Sequence, residues 1–116
     1  MSVNSAGNKL IIADYVKNRL VEFTITNSGY NLSYSQQTST SYSSSNGYFR
    51  YPTDAAYDSN GNIYALDLYN HRIQKFNSSL TYQATTGSWS VSSGFRYPYG
   101  MHIDSSDNIY VTDYYN

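Results

Sequence analysis

The sequence predicts an all-β fold of repeated four-stranded antiparallel sheets, and three observations predict it. First, Phe49-Arg50-Tyr51-Pro52 recurs as Phe95-Arg96-Tyr97-Pro98. The residues downstream of the two copies also match. Asp58-Ser59-Asn60-Gly61-Asn62-Ile63-Tyr64 aligns with Asp104-Ser105-Ser106-Asp107-Asn108-Ile109-Tyr110, and Asp67-Leu68-Tyr69-Asn70 with Asp113-Tyr114-Tyr115-Asn116, at a constant offset of 46 (95 − 49). Second, short apolar runs sit between turn residues, and no window has the 3.6-residue period of a helix. Third, 15 of the 116 residues are Tyr, a strand former whose ring packs while its hydroxyl stays wet.

Each element has a local reason. The first strand of the complete unit is expected at Asp54 to Tyr57, closed by the turn Asp58-Ser59-Asn60-Gly61; Asn-Gly is a strong hairpin signal. The second runs from Asn62 to Asp67, and a short turn, Leu68 to Asn70, leads to the third, Arg72 to Phe76. Asn77-Ser78 turns the chain into the fourth, Leu80 to Thr85. Pro52 and Pro98 precede the first strand of their copies, where a missing N–H costs least. Four short strands in a repeat of this length are the signature of a propeller blade.

A third copy lies upstream. Ile11-Ile12-Ala13-Asp14 and Asn18-Arg19-Leu20-Val21-Glu22-Phe23 match Tyr64-Ala65-Leu66-Asp67 and His71-Arg72-Ile73-Gln74-Lys75-Phe76 at an offset of 53 (67 − 14). The seven extra residues fall after Phe23 and are absorbed by a Ser/Thr-rich run, 36–46, expected to be a solvated loop. Naming the strands of a blade a to d, residues 1–48 form a partial blade (the end of a, then b-c-d). Residues 49–94 form a complete blade, and 95–116 a partial one, a-b. The expected fold is an incomplete ring in one chain.

Composition narrows the function classes. Charged residues make up 13%, about half the usual share, and the net charge is −1. Seven scattered Lys and Arg give no basic stripe, so nucleic acid and anionic membranes are disfavoured as partners. No Cys is present, which excludes a disulfide framework and a thiolate metal site. No apolar run reaches about 18 residues, so no helical membrane span is expected. Met1 to Asn8 lacks the charged start and apolar core of a signal peptide. Ser, Thr and Asn stand where Lys and Glu are usual, as in secreted and cell-surface β-proteins, so the expected location is extracellular. An exported form would be a mature or excised piece.

The wording inside the repeat carries a resemblance. Phe49-x-x-Pro52-x-Asp54-x-Ala56-x-Asp58, Gly61-Asn62-Ile63-Tyr64 and Asp67-x-x-Asn70-His71-Arg72-Ile73-Gln74-Lys75-Phe76 resemble an NHL repeat, the unit of typically six-bladed β-propellers. The resemblance covers nearly all of the chain except the Ser/Thr-rich loop. The first copy departs from it at Asn18, which takes the place of His71. The Pro-x-Asp-x-Ala-x-Asp segment is also similar to the peptidyl-hydroxyglycine amidating lyase. That resemblance implies zinc-binding histidines just after the Pro, where this chain has Thr53 and Tyr99. Neither suits zinc, so no cofactor is expected.

Asp14, Asp67 and Asp113 each end a strand b, and Arg19 and Arg72 follow five residues later. Recurrence in every blade marks them as structural: each Asp is expected to accept backbone N–H groups in the b–c turn, with the Arg lying against the Asp and an aromatic ring. His71 sits at a turn and reads as structural. His102 replaces Ala56 in strand a, the strand nearest the propeller axis, and is the weak candidate for a metal or proton site; one His falls short of the ligands zinc needs. Arg50, Tyr51, Arg96, Tyr97 and Tyr99 lie in the connections leading into strand a, and Tyr15, Tyr69, Tyr114 and Tyr115 in the b–c turns. Such residues on one face would stack on sugars, peptides or bases, or pack between blades. Trp89 is expected to pack between blades. Asn31 and Asn77 begin N-glycosylation acceptor patterns.

A blade has two apolar faces, and each needs a neighbour. The chain is therefore expected to associate with itself, or to belong to a longer propeller, as a non-catalytic structural or binding scaffold. The alternatives are a fragment of a propeller enzyme with a metal or acid–base site near His102, and a glycan- or RNA-binding face.

Overall fold

The computed structural model describes residues 1–29, 31–90 and 94–115. Three sheets follow one another along it. The first contains β1 (Ser2–Val3), β2 (Lys9–Asp14), β3 (Arg19–Thr26) and β4 (Asn31–Gln37). The second contains β5 (Pro52–Tyr57), β6 (Ile63–Asp67), β7 (Arg72–Phe76) and β8 (Tyr82–Thr86). The third pairs β9 (Pro98–Ile103) with β10 (Ile109–Asp113). In each sheet the strands are neighbours in chain order and antiparallel. The fold is all-β and is an incomplete propeller. Asn116, the repeat counterpart of Asn70, lies outside the described residues.

Turn chemistry sets the hairpins. Asp58 Oδ1 accepts the N–H groups of Asn60 and Asn62, both at 2.9 Å, and Gly61 takes the left-handed φ of 83° that closes the β5–β6 turn. Asp104 repeats the clasp with Ser106 and Asn108 at 3.0 and 2.8 Å. The N–H of Asn108, first among its donors, holds the Asp104 carboxyl below its ordinary range. Asp107 stands where Gly61 stood, at φ 64°, and its carboxylate accepts the N–H and the hydroxyl of Ser59 from the preceding blade. The substitution exchanges conformational freedom for an inter-blade contact.

Three local expectations need correction. Pro52 and Pro98 do not precede strand a; they are its first residues, paired with Asp67 and Asp113. The Ser/Thr-rich run begins later than its composition suggests, because Gln36 and Gln37 complete β4. Nor is the run simply solvated. Thr38 is buried, and its hydroxyl accepts the Leu20 N–H at 2.9 Å. The carbonyls of Ser43 and Ser45 accept from Asn70 Nδ2 and Arg72. Composition points Ser and Thr toward water; here they satisfy the polar groups at the blade corner.

The core lies between the first two sheets. Ile11 and Leu20 from the first meet Phe49, Ala55, Tyr57, Ile63, Ala65 and Phe76 from the second, with the Phe49 and Phe76 rings 5.7 Å apart. Inside this apolar layer Glu22 is 3% exposed. The Tyr57 hydroxyl donates to its Oε2 at 2.7 Å and Gln36 Nε2 to its Oε1 at 2.9 Å. Burial, and then this bond to Glu22, raise the Tyr57 pKa far above its ordinary value. The pin joins the two blades from inside their apolar layer.

Replacing Tyr57 with Phe keeps the ring and deletes one donor to a buried carboxylate. Tyr57→Phe is expected to lower unfolding stability by about 1–3 kcal/mol in a urea titration, with unchanged far-UV circular dichroism.

Candidate functional site

The connections into strand a organise one face of the molecule. Arg50 donates its backbone N–H to Asp67 Oδ1 at 2.7 Å, and Arg96 donates its own to Asp113 Oδ1 at 2.8 Å. The next residue reaches the other way. The Tyr51 N–H bonds Asn18 Oδ1 of the preceding blade at 2.8 Å, and the Tyr97 N–H bonds His71 Nδ1 at 3.2 Å. Consecutive amides thus bind one blade to itself and to its neighbour. Their carbonyls continue the pattern: Tyr51 and Arg50 accept from Leu68 and Tyr69, as Tyr97 and Arg96 accept from Tyr114 and Tyr115.

This staple requires unusual backbone. Tyr51 and Tyr97 have φ of 58° and 63°. A bulky residue there costs about 1–2 kcal/mol, and the following Pro disfavours the right-handed helical region. The hydrogen bonds at both ends of the residue offset that cost. The acceptors Asn18 and His71 are also left-handed, at 54° and 53°. That position needs a residue tolerant of positive φ with an acceptor on a short side chain, and Asn and His meet both needs. Burial lowers the His71 pKa, against the opposing pull of the Asp113 and Asp67 carboxylates, which favours the neutral ring that can accept.

The repeated Asp and Arg are joined by hydrogen bonds, but not by the route the sequence suggests. Asp67 is fully buried. Its Oδ2 accepts from Asn70 Nδ2, Arg72 Nε and Gln74 Nε2 at 2.8, 2.8 and 3.2 Å. Its backbone donor is Arg50, outside the b–c turn. Burial raises the Asp67 pKa, and Arg50, Asn70 and Arg72 oppose it. Asp14 follows the expected form, accepting the Lys17 N–H within the turn at 3.3 Å beside Arg19 Nε at 2.8 Å. Arg72 gives its remaining contacts to the carbonyls of Ser45 and Tyr48, and Arg19 to Gln37. The arginines that lie over aromatic rings are Arg50 and Arg96.

Arg50 sits 5.1 Å from the centre of the Tyr42 ring, and Arg96 lies 5.6 Å from Trp89 and 5.8 Å from Tyr115. Tyr42 and Trp89 occupy equivalent places, since each forms the isolated bridge to its Phe, Phe49 or Phe95. Trp89 is 56% exposed and serves as a floor for Arg96 of the following copy. Unequal spacing hid the equivalence: Tyr42 stands seven residues before Phe49 (49 − 42), Trp89 six before Phe95 (95 − 89).

The tyrosines join into one row. Tyr15 stacks on Tyr51 at 4.6 Å; Tyr51 meets Tyr69 edge-on at 5.1 Å, Tyr69 meets Tyr97 at 5.6 Å, and Tyr97 meets Tyr115 at 5.3 Å. The row both packs between blades and faces solvent, with Tyr69 and Tyr115 44% and 57% exposed. At its far end Tyr69, Arg96, Tyr97, Tyr99, Tyr114 and Tyr115 line an open cleft of about 670 Å³. His102 stands apart from this cleft, exposed on β9 opposite Tyr110. Asn31 is exposed at the start of β4, whereas Asn77 is half-buried, its Oδ1 accepting the N–H groups of Ser79 and Thr81.

Comparison with known proteins fits this architecture. The NHL repeat pattern matches residues 49–76. No curated protein matches the sequence. A solved luciferin-regenerating enzyme aligns over 97% of this chain and 36% of its own, with a TM-score of 0.70 and 20% identity. A putative 6-phosphogluconolactonase from Bacteroides uniformis aligns over 96% of this chain and 32% of its own, with a TM-score of 0.67 and 13% identity. Both are propeller proteins. The chain spans about a third of each, and at these identities the likeness is one of fold.

The His71 staple has a pH signature. A His with a folded pKa below its unfolded value of about 6.5 binds fewer protons folded than unfolded. Its stability contribution is therefore present above that value and declines as pH falls through it. His71→Asn, which copies Asn18, is expected to hold stability at pH 7.5 and to lose less than wild type between pH 7.5 and 5.5. His71→Ala should lose about 1–2 kcal/mol at pH 7.5. Urea unfolding at both pH values checks this.

Proposed function

We propose that this chain, which carries an NHL repeat in an incomplete propeller, is a non-catalytic module that works as a structural and binding scaffold. Its ring is completed by further blades, from other copies or from a longer propeller. One observation carries this reading. Ala56 and Leu66, on the face of the second sheet turned toward the third, are buried, whereas their repeat counterparts His102 and Thr112 are exposed. The same place in a blade is covered where a following blade exists and bare where none does.

The rest of β10 supports it. Tyr110 is 58% exposed. A hollow of about 410 Å³, lined by Tyr64, Ile73, Phe95, Ile109 and Val111 among others, lies between the second sheet and β10. Among the described residues β10 pairs only with β9, so its outer edge is free to accept another strand. Apolar surface and an open edge in one place favour association.

The carboxylates argue for scaffold over catalyst. Asp67 is held by four donors and fully buried, which leaves it no geometry for proton transfer to a substrate. The repeated groups on the open face are the exposed Tyr69 and Tyr115 and the half-buried Arg50 and Arg96, and Tyr and Arg are binding side chains. The Ser-, Thr- and Asn-rich composition supports an extracellular or cell-surface setting.

Multi-angle light scattering tests the assembly. A particle heavier than the 13.2 kDa chain is expected at micromolar concentration. A folded, stable 13.2 kDa monomer would contradict the proposal.

A further inference from the structure

We propose that the tyrosine–arginine face binds an acidic polysaccharide, with Arg50 and Arg96 each receiving a carboxylate and the tyrosine row supporting the sugar rings. The inference rests on the scaffold reading and adds a ligand class to it.

The arginines are the first argument. Each repeats at the same place, and each lies over an aromatic ring, Tyr42 under Arg50 and Trp89 under Arg96. Among the described residues neither belongs to an ion pair. Nor, among those residues, does any protein group accept a hydrogen bond from either guanidinium, and the Nε of both is buried without a partner. A structural arginine in this fold looks different: Arg72 has Asp67 at 2.8 Å and two carbonyls. Arg50 and Arg96 are half-buried cations beside an aromatic ring, and among the described residues their guanidinium donors are uncommitted. That is the state of a receptor for a planar carboxylate, which a guanidinium grips through two parallel hydrogen bonds.

The lining gives the second argument. Among the described residues no carboxylate lines the cleft around Arg96; its polar groups are phenol hydroxyls and the guanidinium. Such a set favours a ligand with many oxygen acceptors and negative charge. The phenol rings supply apolar faces for the C–H side of a pyranose, and their hydroxyls meet the sugar oxygens.

Charge spacing selects among polyanions. Blades stack about 10 Å apart, so one Arg per blade sets positive charges at about that interval. A nucleic-acid strand carries a charge about every 3.4 Å and would leave most phosphates unpaired. A polysaccharide with one uronate per disaccharide spaces its carboxylates far more widely. Ring geometry agrees: successive tyrosines meet edge-on, at 88° for Tyr51–Tyr69 and 78° for Tyr69–Tyr97, which closes the gaps into which bases would slot.

Trp89 is the single tryptophan and lies over Arg96, so its fluorescence reports occupancy directly. The assembled protein is titrated with hyaluronan oligosaccharides, which carry one uronate per disaccharide, with dextran as the neutral probe and poly(U) as the phosphodiester. Saturable change of Trp89 emission with an acidic glycan is expected, weakening with salt, together with at least tenfold weaker response to dextran and poly(U). In calorimetry Arg50→Ala/Arg96→Ala should lose at least tenfold in affinity. Arg50→Lys/Arg96→Lys, which preserves charge should the double alanine variant misfold, should lose at least threefold. Equal binding of dextran, tighter binding of poly(U), or no response to any probe would overturn the inference. Light scattering on the same samples separates the two proposals: normal assembly without binding sinks the ligand, and failure to assemble sinks the scaffold.

Discussion

Two adjacent amide groups hold this structure in register. In each Phe-Arg-Tyr-Pro connection the Arg N–H bonds the Asp at the end of strand b in its own blade, and the Tyr N–H bonds a left-handed Asn or His in the blade before. One amide orients the incoming chain, and the next fixes the angle to the neighbour. The buried Asp67 cluster, the positive φ of Tyr51 and Tyr97 and the course of the tyrosine row all follow from that pair. Each bond contributes only about 1 kcal/mol net. Their geometric effect is larger, because they set how far one apolar sheet face lies over the next.

The apolar layer supplies most of the stabilisation, and it is unevenly distributed. Between the first and second sheets it is complete, with Ile11, Leu20, Phe49 and Phe76 essentially sealed. Over the third sheet it is half made, for strands a and b are present and their outer side is bare. Repeat architectures derive stability from interfaces between units more than from the units. A chain with an unfinished interface carries a standing drive toward another blade, and the same drive keeps its tyrosine–arginine face part of a larger surface.

Much of the fold was legible because repetition made it so. A single 46-residue offset aligned turns, prolines and strand ends, and the turn residues Asp58, Asn60 and Gly61 gave a physical reason for each hairpin. What escaped was of two kinds. Backbone donors leave no mark in a sequence, so the Arg50 and Arg96 amides, 17 residues before their carboxylates (67 − 50 and 113 − 96), were invisible. Residues that break the repeat were averaged away by it. Glu22 aligns with Lys75 at the offset of 53 (75 − 22), so its role as the inter-blade partner of Tyr57 had no counterpart to flag it. Of the candidate face, the tyrosines and arginines were legible from composition and position, whereas their aromatic floors at Tyr42 and Trp89 were not, owing to unequal spacing.

Amide hydrogen exchange on the intact protein tests the staple most directly. Arg50, Tyr51, Arg96 and Tyr97 lie in connections that lack regular secondary structure, apart from one isolated bridge beside each, yet all four have a structural hydrogen bond. Their amides should exchange as slowly as those of the strands they join, with Tyr51 and Tyr97 tracking the preceding blade. Exchange of Tyr51 and Tyr97 at the rate of exposed loop amides would show that adjacent blades are held without these two bonds, and would contradict the central role given to the staple.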